Sequence, residues 1–141
     1  MKKSQSGFTL IELVVVIVLL GILGVTALGK FENLSADAAD ATEKGIAGEL
    51  SSASSLNYAA NLVNGGGTQI ATVSCAVSDL GSLMQTGSVP TDNLTYAFGV
   101  GNPNTLTDAA NCASGQSFTC TITDDRGDNS SNGVASIICT G

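Results

Sequence analysis

The stretch Gly7-Phe8-Thr9-Leu10-Ile11-Glu12-Leu13-Val14 sets one carboxylate inside an apolar run that extends from Phe8 to Leu28. Glu12 is the only charged residue of that run, which follows the short basic start Met1-Lys2-Lys3-Ser4-Gln5-Ser6. As a helix the run covers roughly 31 Å at ~1.5 Å per residue, enough to cross a hydrocarbon core. A charge inside such a segment costs at least ~2.5 kcal/mol unless it is paired or near the surface. Glu12 therefore requires a partner, and a positive charge is the first candidate.

Gly-Phe-Thr-Leu-Ile-Glu after a short basic leader resembles the processing site of type IV prepilins. The likeness is closest to the pilins of mannose-sensitive haemagglutinin pili. It continues through Gly29-Lys30-Phe31-Glu32-Asn33-Leu34 to about Leu62, and beyond residue 65 only the general plan is shared. The resemblance implies cleavage by a prepilin peptidase after Gly7, methylation of the new amino terminus at Phe8, and an assembly role for Glu12. That role would be pairing with the amino terminus of a neighbouring subunit. The physics agrees: an α-amino cation and a carboxylate in apolar surroundings are each other's cheapest partner. An ordinary secretory signal, cut near Val25-Thr26-Ala27, fits less well. The run exceeds the usual 7–15 residues of a signal core, and an acid stands near its start. A membrane anchor that never polymerises is the remaining alternative for this stretch.

The chain of 141 residues has one domain's worth of length. The expected organisation is a leader at 1–7, a transmembrane or fibre-core helix at 8–29, and a globular head at 30–141 that includes the rest of the helix. Net charge is −7, and loss of Lys2 and Lys3 leaves three basic against twelve acidic side chains. Such a surface does not attract phosphate backbones, so direct nucleic-acid binding by the subunit is not expected. Cohesion between acidic subunits should come from apolar helix packing.

Cys75, Cys112, Cys120 and Cys139 all lie in the C-terminal half. An even count beyond an export element indicates an oxidising compartment and two disulfides. The alternation Phe118, Cys120, Ile122 turns Cys120 inward, toward the region of Cys75. The favoured pairing is Cys75–Cys120 with Cys112–Cys139, and the competitor is Cys75–Cys112 with Cys120–Cys139. No Cys-x-x-Cys and no histidine is present, so neither a structural metal site nor a cofactor is expected.

The long helix should continue to about Asn61. Its second half carries an amphipathic stripe of Phe31, Leu34, Ala38 and Ala41, then Ile46, Leu50, Ala53, Leu56 or Asn57, and Ala60. Asp37, Asp40, Glu43, Lys44 and Glu49 should fall mostly off that stripe. Gly21, Gly24 and Gly29 weaken the first half by ~1 kcal/mol each relative to alanine. In the family such stretches can melt on assembly, and this chain has Gly29 where many pilins have proline. Beyond Asn64-Gly65-Gly66-Gly67, residues Thr68 to Ser74 are β-prone and Ala76 to Gln85 suit a short helix. Strands are expected at Leu94 to Val100, Ser117 to Thr123 and Val134 to Thr140. One long helix on a small antiparallel sheet is an α+β architecture.

Asp124 to Gly133 holds several oxygen ligands, but its partial likeness to a calcium loop lacks the closing acid, which would fall at Cys139. A solvated turn is the simpler reading, and the tripeptide Arg126-Gly127-Asp128 adds little to it. Without histidine the usual general base is missing, and no nucleophile has an activating partner. The chain is therefore expected not to be an enzyme. As a structural subunit it would have as partners identical or related pilin subunits, the inner membrane before assembly, the prepilin peptidase and the assembly machinery. It would end as an extracellular fibre. No nucleotide-binding loop is present, so the motor must be a separate protein. A minor pilin or a type II secretion pseudopilin is the nearest alternative within the family, and a membrane-anchored monomeric binding protein the alternative outside it.

Overall fold

A computed structural model describes residues 7–99, 108–127 and 132–141. The order of elements is α1 (Leu10–Asn64), α2 (Val77–Gly81), β1 (Leu94–Phe98), β2 (Ser117–Asp124) and β3 (Gly133–Ile138). This is the expected α+β layout, with a long helix followed by a small antiparallel sheet. The chain divides into two compact units, one ending at Ser35 and the other running from Ala36 to Gly141.

The sheet is antiparallel in the order β1-β2-β3, so β2 is its centre. Cys120 stands opposite Phe98 on one side and Ala135 on the other. Along β2 burial alternates residue by residue, with Phe118, Cys120, Ile122 and Asp124 all inward. β3 sends Gly133, Ala135 and Ile137 to the same side. These side chains close on Leu50 of α1 and on Val73 and Leu80 of the connecting segment. Each large apolar side chain buried here stabilises the head by about 1.5–3 kcal/mol. The core is small, and two cystines run through it: Cys75 with Cys120, and Cys112 with Cys139. They close spans of 45 and 27 residues, and cross-links of that kind contribute about 2–4 kcal/mol each.

The buried face of α1 differs from the expected stripe. Ala39, Glu43, Ile46, Ala47, Leu50 and Ser54 are buried, whereas Ala38 and Ala41 are exposed and Phe31 and Leu34 remain 68% and 62% exposed. Glu43 is fully buried. The cause is the free edge of the sheet. Among the described residues β3 has no further strand beside it, so its outward N–H groups need acceptors, and α1 supplies them. Glu43 Oε2 accepts from Gly133 N–H at 3.2 Å, while Glu43 Oε1 accepts from Asp124 N–H at the other end of the same connection. Ser51 Oγ accepts from Ser136 N–H at 2.9 Å and Ser54 Oγ from Ile138 N–H at 2.7 Å. Spacings of eight and three residues put Glu43, Ser51 and Ser54 on one side of the helix. Hydropathy counts these residues as surface, but their hydrogen bonds make them part of the seam. Gly133 is required for the close approach, since a Cβ there would collide with the Glu43 backbone.

Two shorter elements also depart from expectation. Thr68 to Ser74 forms no strand, only a bridge between Thr72 and Asn111. Val73 pairs through its N–H with Ala110 C=O at 2.8 Å and through its C=O with Ala109 N–H at 2.9 Å, against irregular chain. α2 stops at Gly81 instead of near Gln85. Gly81 lies against the backbone of Gly87 and Ser88, and Leu83 and Met84 follow in turns.

Asp124 ends β2 with its side chain fully buried. Its Oδ1 accepts from Arg126 N–H and Nε–H, both at 2.9 Å, and its Oδ2 from Arg126 Nη2 at 2.7 Å. The side-chain bonds from Arg126, then its backbone N–H, hold the Asp124 carboxyl down at about 2 from an ordinary 3.8, against the opposing effect of desolvation.

Two measurements follow from this seam and from the buried Asp124 carboxylate. Glu43→Ala strands two buried N–H donors and should destabilise the head by about 3 kcal/mol or more, with Glu43→Gln, which keeps one acceptor oxygen, near half of that. Urea denaturation of detergent-solubilised protein, followed by tyrosine fluorescence, reads both, and wild-type stability in Glu43→Ala would refute the seam. A depressed acid contributes stability above its unfolded pKa and loses it as pH falls through the folded one. The advantage of wild type over Asp124→Asn should thus be constant above about pH 4 and vanish as pH drops to about 2.

Candidate processing and assembly site

The start of α1 is fixed by Thr9 and Glu12. Thr9 immediately precedes the first helical residue, Leu10, and its Oγ accepts the Glu12 N–H at 3.3 Å. In return Glu12 Oε2 accepts from Thr9 N–H at 2.9 Å and from the Thr9 hydroxyl at 2.8 Å. This reciprocal arrangement is a capping box, which satisfies two donors that a helix otherwise leaves orphaned. The carboxylate also sits where the positive end of the helix dipole favours it.

The sequence reading assigned Glu12 to a partner in another subunit and overlooked the partner three residues away. The signal was present: Thr9-x-x-Glu12 before an apolar run is the capping-box pattern. Glu12 therefore has a partner within its own chain, and its charge lies in the first turn instead of deep in the apolar stretch. Both features reduce the cost of carrying it in a membrane-crossing segment.

Gly7 and Phe8 lie in non-helical chain just outside this cap. Gly7 is exposed with open space around it, and Phe8 is 89% exposed. A cut between them would create an α-amine one residue before the capping threonine. Lys2 and Lys3 of the leader lie outside the described residues.

Beyond the cap, α1 presents apolar side chains on every side. Its hydropathy and length are those of a membrane-crossing helix. All of the residues from Leu10 to Val25 are exposed in the isolated chain. α1 runs on through Gly21, Gly24 and Gly29 without a break.

The remaining expected site residues lie elsewhere. The four cysteines occupy the head core as two cystines, with Cα separations of 5.7 Å and 6.0 Å. In the oxygen-rich stretch from Asp124 to Gly133, the first acid is already engaged by Arg126. Asp128, Asn129, Ser130 and Ser131 lie outside the described residues.

No curated protein and no solved structure matches the chain. A family model described as the prokaryotic N-terminal methylation motif matches residues 2–28, which contain Gly7, Phe8, Thr9 and Glu12. That match, with the apolar helix behind it, supports a type IV pilin-like precursor anchored in a membrane by its N-terminus.

Proposed function

We propose that this chain is a structural subunit of a type IV pilus. One observation carries the reading: a capped helix, apolar on all sides, follows immediately on an accessible Gly7–Phe8 bond. Such a helix needs apolar cover over its whole circumference. Lipid supplies it before assembly, and the same helices of other copies supply it in a fibre. Lys2 and Lys3 hold the leader on the cytoplasmic side. The prepilin peptidase removes residues 1–7 and methylates Phe8, and the assembly machinery moves the subunit into the growing fibre.

Glu12 exchanges partners in this scheme. In the free subunit it is held by Thr9, and on assembly it takes the α-amine of a neighbour's Phe8. The ion pair is the stronger interaction in apolar surroundings, so the exchange favours the fibre. The head, stapled by Cys75–Cys120 and Cys112–Cys139, becomes the outer surface. The resemblance of the run from Gly29 to about Leu62 supports a subunit of the mannose-sensitive haemagglutinin type. The many exposed acids and the absence of histidine fit a structural role and not a catalytic one.

Two experiments test the proposal. Intact-mass analysis of sheared surface filaments should find a protein that lacks residues 1–7 and carries one methyl group on Phe8. An uncut chain, or one starting near Leu28, contradicts it. The second experiment separates capping from pairing. Glu12→Gln keeps an oxygen for the capping box but has no charge, whereas Glu12→Ala loses both. Both variants should insert into the membrane, since a costly charge has gone. Both should also lose filaments, and a normal filament yield from Glu12→Gln would rule out the ion pair.

A further inference from the structure

A groove of about 620 Å³ opens on the head between the C-terminal part of α1 and the turn after α2. Its floor is Ala53, Leu56 and Ala60 from the helix with Leu83 and Met84 from the turn, and Glu49 stands at one end. Leu56 is 72% exposed, so the apolar floor is uncovered in the isolated chain. We infer that this groove takes the segment Ala27–Leu34 of a second copy of this chain, aligned parallel to the helix that forms it. The inference rests on the fibre reading above and identifies one of its contacts.

Charge singles out the segment. Once the leader is removed, Lys30, Lys44 and Arg126 are the only basic side chains among twelve acids. Arg126 is paired with Asp124. Lys44 is exposed and also lacks an ion-pair partner among the described residues, but Glu43, Ile46 and Ala47 beside it are buried, so no large exposed apolar side chain flanks it. Lys30 differs in its surroundings, since its neighbours Leu28, Phe31 and Leu34 are 72%, 68% and 62% exposed. A cation flanked by exposed apolar side chains complements a groove with an apolar floor and one acid at its end.

Spacing fixes the direction and the stagger. Glu49, Ala53 and Leu56 follow at intervals of four and three, which puts them on one stripe of α1. Ala27, Phe31 and Leu34 follow at the same two intervals. A constant shift of 22 residues, or ~33 Å along the helix, sets Phe31 over Ala53 and Leu34 against Leu56. The large Phe31 thus faces the small Ala53, as close helix packing needs. Lys30 then falls within reach of Glu49, because long side chains lean toward the helix N-terminus. An antiparallel copy reverses the order and carries Lys30 toward Ala60, away from the acid. The docked segment includes the part of the apolar helix nearest the head.

Charge exchange in cells that assemble the full chain tests the contact. Lys30→Glu and Glu49→Lys each set like charges together at every repeat of the fibre. Each should lower the yield of sheared filaments about tenfold or more, with protein level and head disulfides unchanged. The double variant Lys30→Glu with Glu49→Lys should restore the yield to within about twofold of wild type. As a second readout, Leu34→Cys with Leu56→Cys should give covalently linked subunits in non-reducing gels of filaments, while Leu34→Cys with Leu62→Cys should not. Filaments at wild-type yield from either single reversal, or no recovery in the double variant, would overturn the inference. So would the absence of linked subunits from the Leu34→Cys, Leu56→Cys pair. If the wild-type chain forms no filaments at all, it is the fibre reading that fails.

Discussion

The head is organised by the need of an edge strand for hydrogen-bond acceptors. β3 closes the sheet on one side, and among the described residues no strand lies beyond it, so its outward N–H groups would be stranded without acceptors from the helix. Glu43, Ser51 and Ser54 remove that difficulty. They also decide which face of α1 turns inward, ahead of the apolar pattern. Gly133 is glycine because the seam brings two backbones together there. An edge strand joined to a helix in this way is no longer a template for pairing with another sheet.

The two compact units of the chain solve opposite problems. The head has little apolar surface to bury and relies on polar seams and two cystines. The N-terminal unit has apolar surface on every side and nothing of its own to cover it. A single polar device, the Thr9–Glu12 box, starts its helix and gives a lone charge a neutral local partner. The same carboxylate therefore meets the demand of a free helix end while its charge is held by neutral donors close by. Local partners of this kind let a charge be carried through a membrane without being neutralised there.

The sequence disclosed those parts of the fold that hydropathy governs. The apolar run, the long helix, the three strands and the inward turn of Phe118, Cys120 and Ile122 were legible because burial there follows a simple period. The phase of the helix between Ala36 and Ser54 was not legible. It is set by hydrogen bonds from β3, and those depend on residues some 85 positions further along the chain. Thr68 to Ser74 has strand composition but meets an irregular partner, so composition misled. At the site, Gly7, Phe8 and Glu12 stood out at once, while Thr9 was overlooked although its spacing to Glu12 is a local and readable signal. The groove beside Leu56 was invisible, since it exists only where the turn after α2 comes back along the helix.

The seam between α1 and β3 has a mechanical consequence. Glu43 and Ser54 are eleven residues apart, about 17 Å along the helix. The bonds between them lie side by side along the axis of α1. Tension arriving through α1 would load them together, in shear, instead of opening them one after another as a zipper opens. Cys139 is bound to Cys112 just beyond the last of these bonds, which bars β3 from peeling away at its C-terminal end. A head built on a modest core can in this way resist a pull that its thermodynamic stability alone would not withstand.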